Sequence, residues 1–287
     1  MSLVSRKFKW YRNKAVTLFY QLYSPKSGTI SSNNTPRIIV TMTSFTKRLD
    51  TLYLCVKSLL NQKRKPDKVI LYLGKDVADK IIPDNLRKLE KFGLEIKTGY
   101  DDIKPHKKYY YAMQEYPEDI IITVDDDVIY HRDLVYGLME AHQYHPDAVI
   151  CRRARKVLYD DEGHLLPYNS WPKIDNNEGP AFDILPTGVG GVLYPPHCLH
   201  EDVFDKDTLT DICLKADDIW LKYMEVRKGT KVVFTRAKHG DPGIIPKTFS
   251  SGLYNENVNE NQNDLYLKKM CERYHIDITG KVINQSP

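Results

Sequence analysis

A short apolar run in this chain ends directly in three consecutive aspartates, Ile120-Ile121-Ile122-Thr123-Val124-Asp125-Asp126-Asp127. A β-branched run of this length is typical of a buried strand. Open α/β sheets bind ligands beyond the carboxyl ends of their strands, so the three carboxylates are expected at a ligand-binding edge. They repel one another unless a cation lies among them, and hard oxygen ligands suit magnesium or manganese. The alternative is an acidic turn after a strand, because Asp is common in turns.

Strand-like and helix-like segments alternate around this run. The predicted strands cover residues 37–42, 68–73, 94–97, 120–124, 148–151 and 231–235, and the predicted helices 50–61, 83–92, 107–115, a segment ending near 142 and one opening at 216. Regular alternation predicts a mostly parallel, doubly wound α/β sheet. Neither a GxGxxG nor a GxxxxGK[ST] sequence occurs, so phosphate has to be bound by a metal and side chains instead.

The connection from Arg152 to Pro186 is irregular and rich in Pro, Gly, Asn and Asp. A long irregular segment in a compact domain is usually functional or disordered. It is followed by a glycine-rich turn in which Gly190 and Gly191 let the backbone pass close to a ligand. Trp171 in the irregular segment could stack against a sugar ring, whereas Trp220 lies one turn into an apolar helix face and is expected in the core.

The length of 287 residues is enough for one sizeable α/β domain, and a content of 41% hydrophobic and 28% charged residues is ordinary for a soluble globular protein. The five cysteines form no CxxC pair, so we expect reduced, buried thiols in a cytosolic compartment. No apolar run reaches the length of about 18 residues that a membrane-spanning helix needs.

The first acidic residue is Asp50, although the net charge of the whole chain is only +4. The early basic residues are Arg6, Lys7, Lys9, Arg12, Lys14 and Lys26. Apolar residues recur among them at helical spacing, at Val4, Phe8, Tyr11, Ala15, Leu18, Phe19 and Leu22. Such a helix suits an anionic membrane surface, and the alternative is a helix packed on the main domain. The interrupting charges disfavour a signal peptide, and the confinement of the basic excess to this tail disfavours nucleic acid as a partner.

Four separated features then follow one another in a specific order. They are the first strand with Thr41-Met42-Thr43-Ser44-Phe45-Thr46-Lys47-Arg48, the aspartate triplet, the glycine-rich turn, and Asp217-Asp218 at the start of a helix. In this order they resemble the GT-A glycosyltransferases, especially glycosyltransferase family 2 and the β-1,3-galactosyltransferase and Fringe-like families. The resemblance spans roughly Pro36 to Asp241 and implies a GT-A fold, with a nucleotide-binding half and an acceptor-binding half in one domain. It departs from family 2 where Leu71-Tyr72-Leu73-Gly74 replaces the usual Asp that contacts the base.

The resemblance implies a metal site. Asp125, Asp126 and Asp127 look like the DxD motif, in which the last residue binds the metal and an earlier one lies near the ribose. A divalent ion there would stabilise the negative charge that the departing nucleoside diphosphate gains. His239 is similar to the histidine that completes the metal shell in Fringe-like enzymes, and an imidazole beside a carboxylate favours Mn²⁺ over Mg²⁺. The alternative for His239 is a solvated loop residue.

The resemblance also implies donor contacts elsewhere. Lys108 is similar to the lysine that reaches the sugar nucleotide in the Fringe-like group, with a solvated surface lysine as the alternative. Thr41, Thr43 and Arg48 lie at the carboxyl end of the first strand, where the nucleotide enters.

The Asp217-Asp218 pair resembles the Glu-Asp pair whose second member is the catalytic base in inverting enzymes of this fold. A base is needed because the attacking sugar hydroxyl must lose its proton. Asp218 is therefore predicted to be the base, with Asp217 beside it on the acceptor side, and Trp171, Gly190 and Gly191 are predicted to bind the acceptor. The alternative is a pair that stabilises the helix dipole.

These features predict a metal-dependent, inverting glycosyltransferase that uses a UDP-linked donor and a glycan or lipid-linked glycan acceptor in surface polysaccharide biosynthesis. We expect a basic tail at residues 1–30 that attaches the protein to the cytoplasmic membrane face, a catalytic domain at 36–240 and a C-terminal extension at 241–287. One alternative is a sugar-phosphate nucleotidyltransferase, which should carry a glycine-rich loop after the first strand, whereas Thr43 to Arg48 contains no glycine. The other is a non-catalytic glycan- or nucleotide-binding module.

Overall fold

A computed structural model describes residues 3–30, 35–77, 81–246 and 261–283, with side chains described from residue 10 onward. The linker predicted at residues 31–36 lies mostly outside the described residues. In chain order the elements are α1 (Leu3–Leu22), β1 (Ile38–Thr43), α2 (Leu49–Leu60), β2 (Lys68–Gly74), α3 (Asp84–Arg87), β3 (Leu94–Tyr100), α4 (Lys107–Glu115), β4 (Ile120–Thr123), β5 (Val128–Ile129), α5 (Leu134–Tyr144), β6 (Val149–Cys151), β7 (Ala154–Lys156), β8 (Glu178–Ala181), β9 (Ile184–Pro186), β10 (Val192–Tyr194), α6 (Lys206–Ile212), α7 (Asp217–Lys228), β11 (Val232–Phe234), β12 (Gly243–Ile244) and α8 (Gln262–Tyr274).

Eight strands form one mainly parallel sheet in the order β3-β2-β1-β4-β10-β6-β11-β8, which confirms the predicted α/β class. β1 pairs in parallel with both β2 and β4. β10 runs antiparallel between β4 and β6, and β11 is parallel to β6. The carboxyl ends of β1, β2, β3, β4, β6 and β11 therefore lie at one edge of the sheet, which we call the carboxyl edge.

Helices cover both faces of the first half of the sheet. Val40 and Ile122 pack into the core that contains α2, whereas the neighbouring Ile39 and Ile121 pack on the opposite face against Ala112 of α4. Strands buried on both faces need apolar residues at every position. This requirement explains the unbroken apolar run before the aspartates.

The second half of the sheet packs against α7 in a separate core cluster that contains both Trp171 and Trp220. Trp220 is fully buried, which confirms its predicted place in the core. Residues from the end of the chain also contact this half, since the hydroxyl of Tyr223 donates to the carbonyl of Leu267 at 3.3 Å and that of Tyr159 donates to Asp277 at 2.7 Å.

Two sequence predictions differ from the structure. The helix predicted at 83–92 is divided into α3 and a separate 3-10 turn at Glu90–Phe92, after which Gly93 adopts a left-handed φ of 97° and turns the chain into β3. The segment predicted to be irregular contains β7, β8 and β9, with β7 and β9 paired. These strands have only three or four residues, and β8 carries Gly179-Pro180, a pattern tolerated at a sheet edge but not typical of a strand.

α1 packs on the domain with the face opposite to the predicted apolar stripe. Val16, Thr17 and Tyr20 turn inward, and the amide of Asn61 donates to the Tyr20 hydroxyl at 3.2 Å. The stripe residues Tyr11, Ala15, Leu18, Phe19 and Leu22 are exposed, while the side chains of Val4 and Phe8 lie outside the described residues.

Across the described ranges, no helix combines the length and apolar character needed to cross a membrane.

Candidate active site

Two threonines at the end of β1 use their hydroxyls to hold neighbouring elements. The Thr41 hydroxyl donates to the carbonyl of Lys108 at 2.7 Å, and the Thr43 hydroxyl donates to the carbonyl of Tyr72 at 2.8 Å. Thr41 is fully buried, so its side chain fixes the start of α4 rather than facing the edge. Thr43 is half-buried at the carboxyl edge.

Asp126 is the buried member of the aspartate triplet. It accepts a hydrogen bond from the Ser44 hydroxyl at 2.5 Å and pairs with Arg48, whose guanidinium also lies 3.2 Å from Asp127. Burial raises the pKa of Asp126, although Arg48 opposes the change. Ser44 and Arg48 thus anchor the turn after β4 to the turn after β1.

Asp125 and Asp127 remain partly open to solvent. Burial and the neighbouring Asp125 carboxylate raise the pKa of Asp127 to about 6, despite the attraction of Arg48. Burial is the largest cause of this shift, and the carboxylates of Asp125 and Asp126 add to it because like charges are crowded at this turn. Hard oxygen donors in such a field fit a divalent cation, with phosphate oxygens and water completing its shell.

Lys108 connects the two acidic clusters. Its ammonium lies 2.7 Å from Oδ1 of Asp125 and 2.9 Å from Oδ2 of Asp217. Burial disfavours the charged form, but the carboxylates of Asp125, Asp217 and Asp218 outweigh burial and raise the pKa of Lys108. The side chain is 5% exposed, which excludes the solvated surface lysine.

Asp217 and Asp218 open α7, where the carboxylates meet the positive end of the helix dipole. Burial and the adjacent Asp217 raise the pKa of Asp218 to about 8. For Asp217, burial raises the pKa but Lys108 and His106 lower it overall. Burial and Asp217 thus favour the protonated form of Asp218, whereas Lys108 and His106 favour the charged form of Asp217.

The glycine turn contributes a residue that the sequence did not single out. A Cβ on Gly188 would lie 2.9 Å from Nζ of Lys108, 3.2 Å from Oδ1 of Asp125 and 3.3 Å from Oδ1 of Asp218. Gly188 therefore lies at the point where the two acidic clusters meet. The shared proximity of these groups is visible only in three dimensions.

The two glycines that were predicted to approach a ligand have other neighbours. A Cβ on Gly190 would lie 2.7 Å from the backbone nitrogen of Arg153. Gly191 has a φ of 85°, and its Cβ would lie 2.7 Å from Leu134. Chain packing and backbone conformation account for both glycines.

Two further predicted residues lie apart from this cluster. Trp171 is 1% exposed and donates its indole N–H to the carbonyl of Leu166 at 2.9 Å, so it has no face open to a sugar ring. His239 is exposed, and its ring lies 5.2 Å from that of His131. Among the described residues, the triplet and His239 do not form a group with three mutually close metal-ligating atoms. The histidine role therefore remains a prediction.

The family assignment rests on the part of the chain from β1 to the end of β9. The profile of glycosyl transferase family 2 matches residues 38–187, which is more than half of the 287 residues. The chain belongs to glycosyl transferase family 2. The matched part of this family 2 chain contains the triplet, Arg48 and Lys108, and it ends before Gly188 and Asp217.

The comparison with solved structures includes a mannosyltransferase whose fold agrees with a GT-A architecture. A mannosyltransferase, PcManGT from Pyrobaculum calidifontis in complex with GDP-Man and Mn²⁺, matches with a TM-score of 0.51 at 11% identity over 92% of this chain and 74% of that chain. A CMP:2-keto-3-deoxy-manno-octonic acid synthetase complexed with CTP has a TM-score of 0.44 at 12% identity, covering 79% of this chain and 98% of its own. The 4-diphosphocytidyl-2C-methyl-D-erythritol synthase from Anaerococcus prevotii has a TM-score of 0.46 at 15% identity, covering 79% of this chain and 94% of its own. A comparison with curated protein sequences gives no match.

Proposed function

We propose that this protein is a metal-dependent, inverting hexosyltransferase that uses a nucleoside-diphosphate sugar, UDP-linked, as its donor. The observation that carries the proposal is the bridge formed by Lys108 between Asp125 and Asp217. It joins the carboxylates after β4 to those at the start of α7. A donor phosphate at the first cluster and an acceptor hydroxyl at the second would thus meet at the same place.

The donor half of the proposed reaction relies on Asp127 and Asp125, which would hold Mn²⁺ or Mg²⁺. The bound ion would act as a Lewis acid on the diphosphate leaving group. Arg48 holds Asp127 and Asp126 in place, and Lys108 adds positive charge beside the site. The mannosyltransferase of similar fold is in complex with GDP-Man and Mn²⁺, which supports a nucleotide-sugar donor and a divalent cation for this chain as well.

The acceptor half relies on Asp218. In a single displacement, an acceptor hydroxyl oxygen bonds to the anomeric carbon while the bond from that carbon to the diphosphate breaks, and the hydroxyl proton passes to the Asp218 carboxylate. A carboxylate with a pKa of about 8 is a stronger base than an ordinary one once it is ionised. Positive charge brought to the site would favour the ionised form of Asp218.

The acceptor in this proposal is a glycan or lipid-linked glycan of surface polysaccharide biosynthesis at the cytoplasmic membrane face. The long connection between β6 and β10 supports an acceptor-binding role, because it starts and ends at the carboxyl edge. The carboxylates proposed for catalysis lie at the same edge.

The test is a screen of nucleotide sugars that measures release of nucleoside diphosphate, with Mn²⁺ or Mg²⁺ and with or without a lipid-linked acceptor. Asp127→Ala should abolish transfer and weaken donor binding while leaving the circular dichroism and melting temperature near those of the wild type, because the residue lies in a turn at a strand end. Asp161→Ala, which removes an exposed carboxylate elsewhere, is the matched control. Full activity in excess chelator would contradict the metal requirement.

A further inference from the structure

The apolar face of α1 is left without a partner within the described residues. We call Tyr11, Ala15, Leu18, Phe19 and Leu22 the docking face. At about 100° per residue these positions fall on the side of the helix opposite to Val16, Thr17 and Tyr20, which pack on the domain. Leu18, Phe19 and Leu22 are 56%, 52% and 79% exposed. A continuous apolar helix face in water indicates an interaction surface.

A cavity of about 330 Å³ adjoins the docking face. Ala15 and Phe19 belong to both, so the cavity and the face form one continuous surface. The remaining wall contains Arg12, His131 and Arg132. A site with cationic groups beside apolar side chains matches a ligand with a charged end and a hydrocarbon end.

Two polar atoms next to this cavity lack hydrogen-bond partners in the described part of the chain. They are Oδ1 of Asn13 and Nε2 of His131, both buried. A buried polar atom without a partner is costly, and a bound group can supply the missing bond. Oδ1 of Asn13 can only accept, so it calls for a donor such as a headgroup hydroxyl, whereas the two arginines provide the attraction for an anion.

The charge around α1 indicates which kind of partner binds the docking face. No acidic residue precedes Asp50, and the helix itself carries Arg6, Lys7, Lys9, Arg12 and Lys14. Each basic residue near an anionic bilayer contributes on the order of 1 kcal/mol. A second copy of this chain would place two such helices against each other and would repel, whereas an anionic bilayer attracts the charges and accepts the apolar side chains.

We propose that α1 docks the protein on an anionic phospholipid bilayer, with the docking face inserted among the acyl chains and one lipid phosphate in the cavity between Arg12 and Arg132. Arg12 also donates to the carbonyls of His239 and Asp241, at 3.2 and 3.4 Å. Asp241 in turn pairs with Lys173 at 2.8 Å, in the connection between β7 and β8. Docking therefore places the bilayer beside α2 and the loop that contains His239 and Asp241.

The test is flotation of the full-length protein with vesicles of pure phosphatidylcholine or of phosphatidylcholine containing phosphatidylglycerol. The wild type should float with the anionic vesicles and lose at least tenfold in binding when phosphatidylglycerol is omitted or the salt concentration is raised. Leu18→Glu/Phe19→Glu should abolish flotation, and Arg132→Gln should weaken it at least threefold. Tyr144→Glu, which adds a charge at a 78% exposed aromatic position on α5, should float like the wild type.

Vesicle binding is measured without any sugar donor, so its result is independent of the proposed catalytic function. Equal flotation of the Leu18/Phe19 variant and the wild type would overturn the proposal. Protection of the fold by inorganic phosphate without vesicle binding would also overturn it, because the cavity would then be a site for free anions. A wild-type dimer that the same variant converts to a monomer, again without vesicle binding, would assign the docking face to a second copy.

Discussion

The backbone N–H of Gly188 donates a hydrogen bond to Oδ1 of Asp218 over 3.0 Å. The bond fixes the orientation of the carboxylate and leaves Oδ2 as the oxygen available to an acceptor hydroxyl. It also links the start of α7 to the turn that enters β10. The position of the proposed base is therefore set by the sheet as well as by its own helix.

Asp218→Asn should lower kcat by about 10²-fold or more while donor affinity stays near that of the wild type, because the amide cannot accept the hydroxyl proton. The amide oxygen can still accept the N–H of Gly188, so the fold should be retained. Asp211→Asn, at an exposed position on α6, should have no effect. Both variants are compared by steady-state kinetics and by equilibrium binding of the donor. A product that retains the anomeric configuration of the donor would contradict the inverting assignment.

Gly188→Ala should lower kcat/KM at least about tenfold, equivalent to about 1.4 kcal/mol, because the new methyl group would crowd Lys108, Asp125 and Asp218. Gly188 lies outside the left-handed region, so the melting temperature should change little. Gly191→Ala should show the reverse pattern, with a clear loss of stability, because its φ is 85° and Leu134 blocks the methyl group. Equal activity of Gly188→Ala and the wild type would mean that substrate does not approach this turn.

Lys108→Met should reduce the free energy of unfolding by about 3 kcal/mol, because it leaves buried carboxylates without their cation. Transfer activity should fall as well. Adding Asp217→Asn to this variant should restore part of the stability but not the activity. Urea unfolding and donor turnover measure the two effects separately. Lys104→Met, at a lysine whose side chain is 47% exposed, is the control. A stable, inactive Lys108→Met would show that the bridge serves catalysis without supporting the fold.

His106 gives a pH-dependent prediction. Its Nε2 lies 2.9 Å from the carbonyl of Cys213, which can only accept, so Nε2 carries the hydrogen and Nδ1 accepts from the Tyr109 hydroxyl at 2.7 Å. Burial lowers the pKa of His106 to about 4, while Asp217 opposes the change. The neutral ring therefore matches its hydrogen-bond partners.

Between pH 6.5 and 4 the unfolded chain binds more protons at this histidine than the folded chain does. The free energy of unfolding should therefore fall by about 3 kcal/mol as the pH drops through this window and be unaffected by this group above it. His106→Gln should remove that slope, whereas His164→Gln, at a 71% exposed ring, should keep it. Urea unfolding at several pH values gives the free energy of unfolding of variant and wild type. Burial raises the pKa of Glu225 to about 7, so this group contributes a slope of the opposite sign. That slope is present in both proteins and cancels in the difference between them. Parallel curves of the free energy of unfolding against pH for His106→Gln and the wild type would contradict the prediction.

The first half of the fold was predictable because its strands are buried on both faces and its helices are amphipathic. The helix predicted at 107–115 coincides with α4. The strand predicted at 231–235 coincides with β11, but β7, β8 and β9 were not predictable, since they have only three or four residues and β8 and β9 include proline. Periodicity also located the apolar stripe of α1 but not its direction, because Tyr20 packs on the domain through a hydroxyl that accepts from Asn61, a contact that hydropathy does not count.

For the candidate site, the acidic residues followed from their places after strands and before a helix. The burial of Lys108 and the proximity of Gly188 depend on how β4, β10 and α7 meet, and no local pattern encodes that. Trp171 shows the converse, because an aromatic residue in an irregular segment is equally compatible with a binding face and with a core.

The reversed direction of β10 has a consequence for how this protein can change over evolutionary time. Residues 152–191 leave β6 and enter β10 on the same side, so this excursion begins and ends at the carboxyl edge, although it also contributes β8 to the far end of the sheet. Insertions or replacements in its exposed turn at residues 160–164 need not alter the path of the strands on either side. Under the proposed function, acceptor preferences can thus change in such turns, while the carboxylates at the end of β4 and the start of α7 keep their positions.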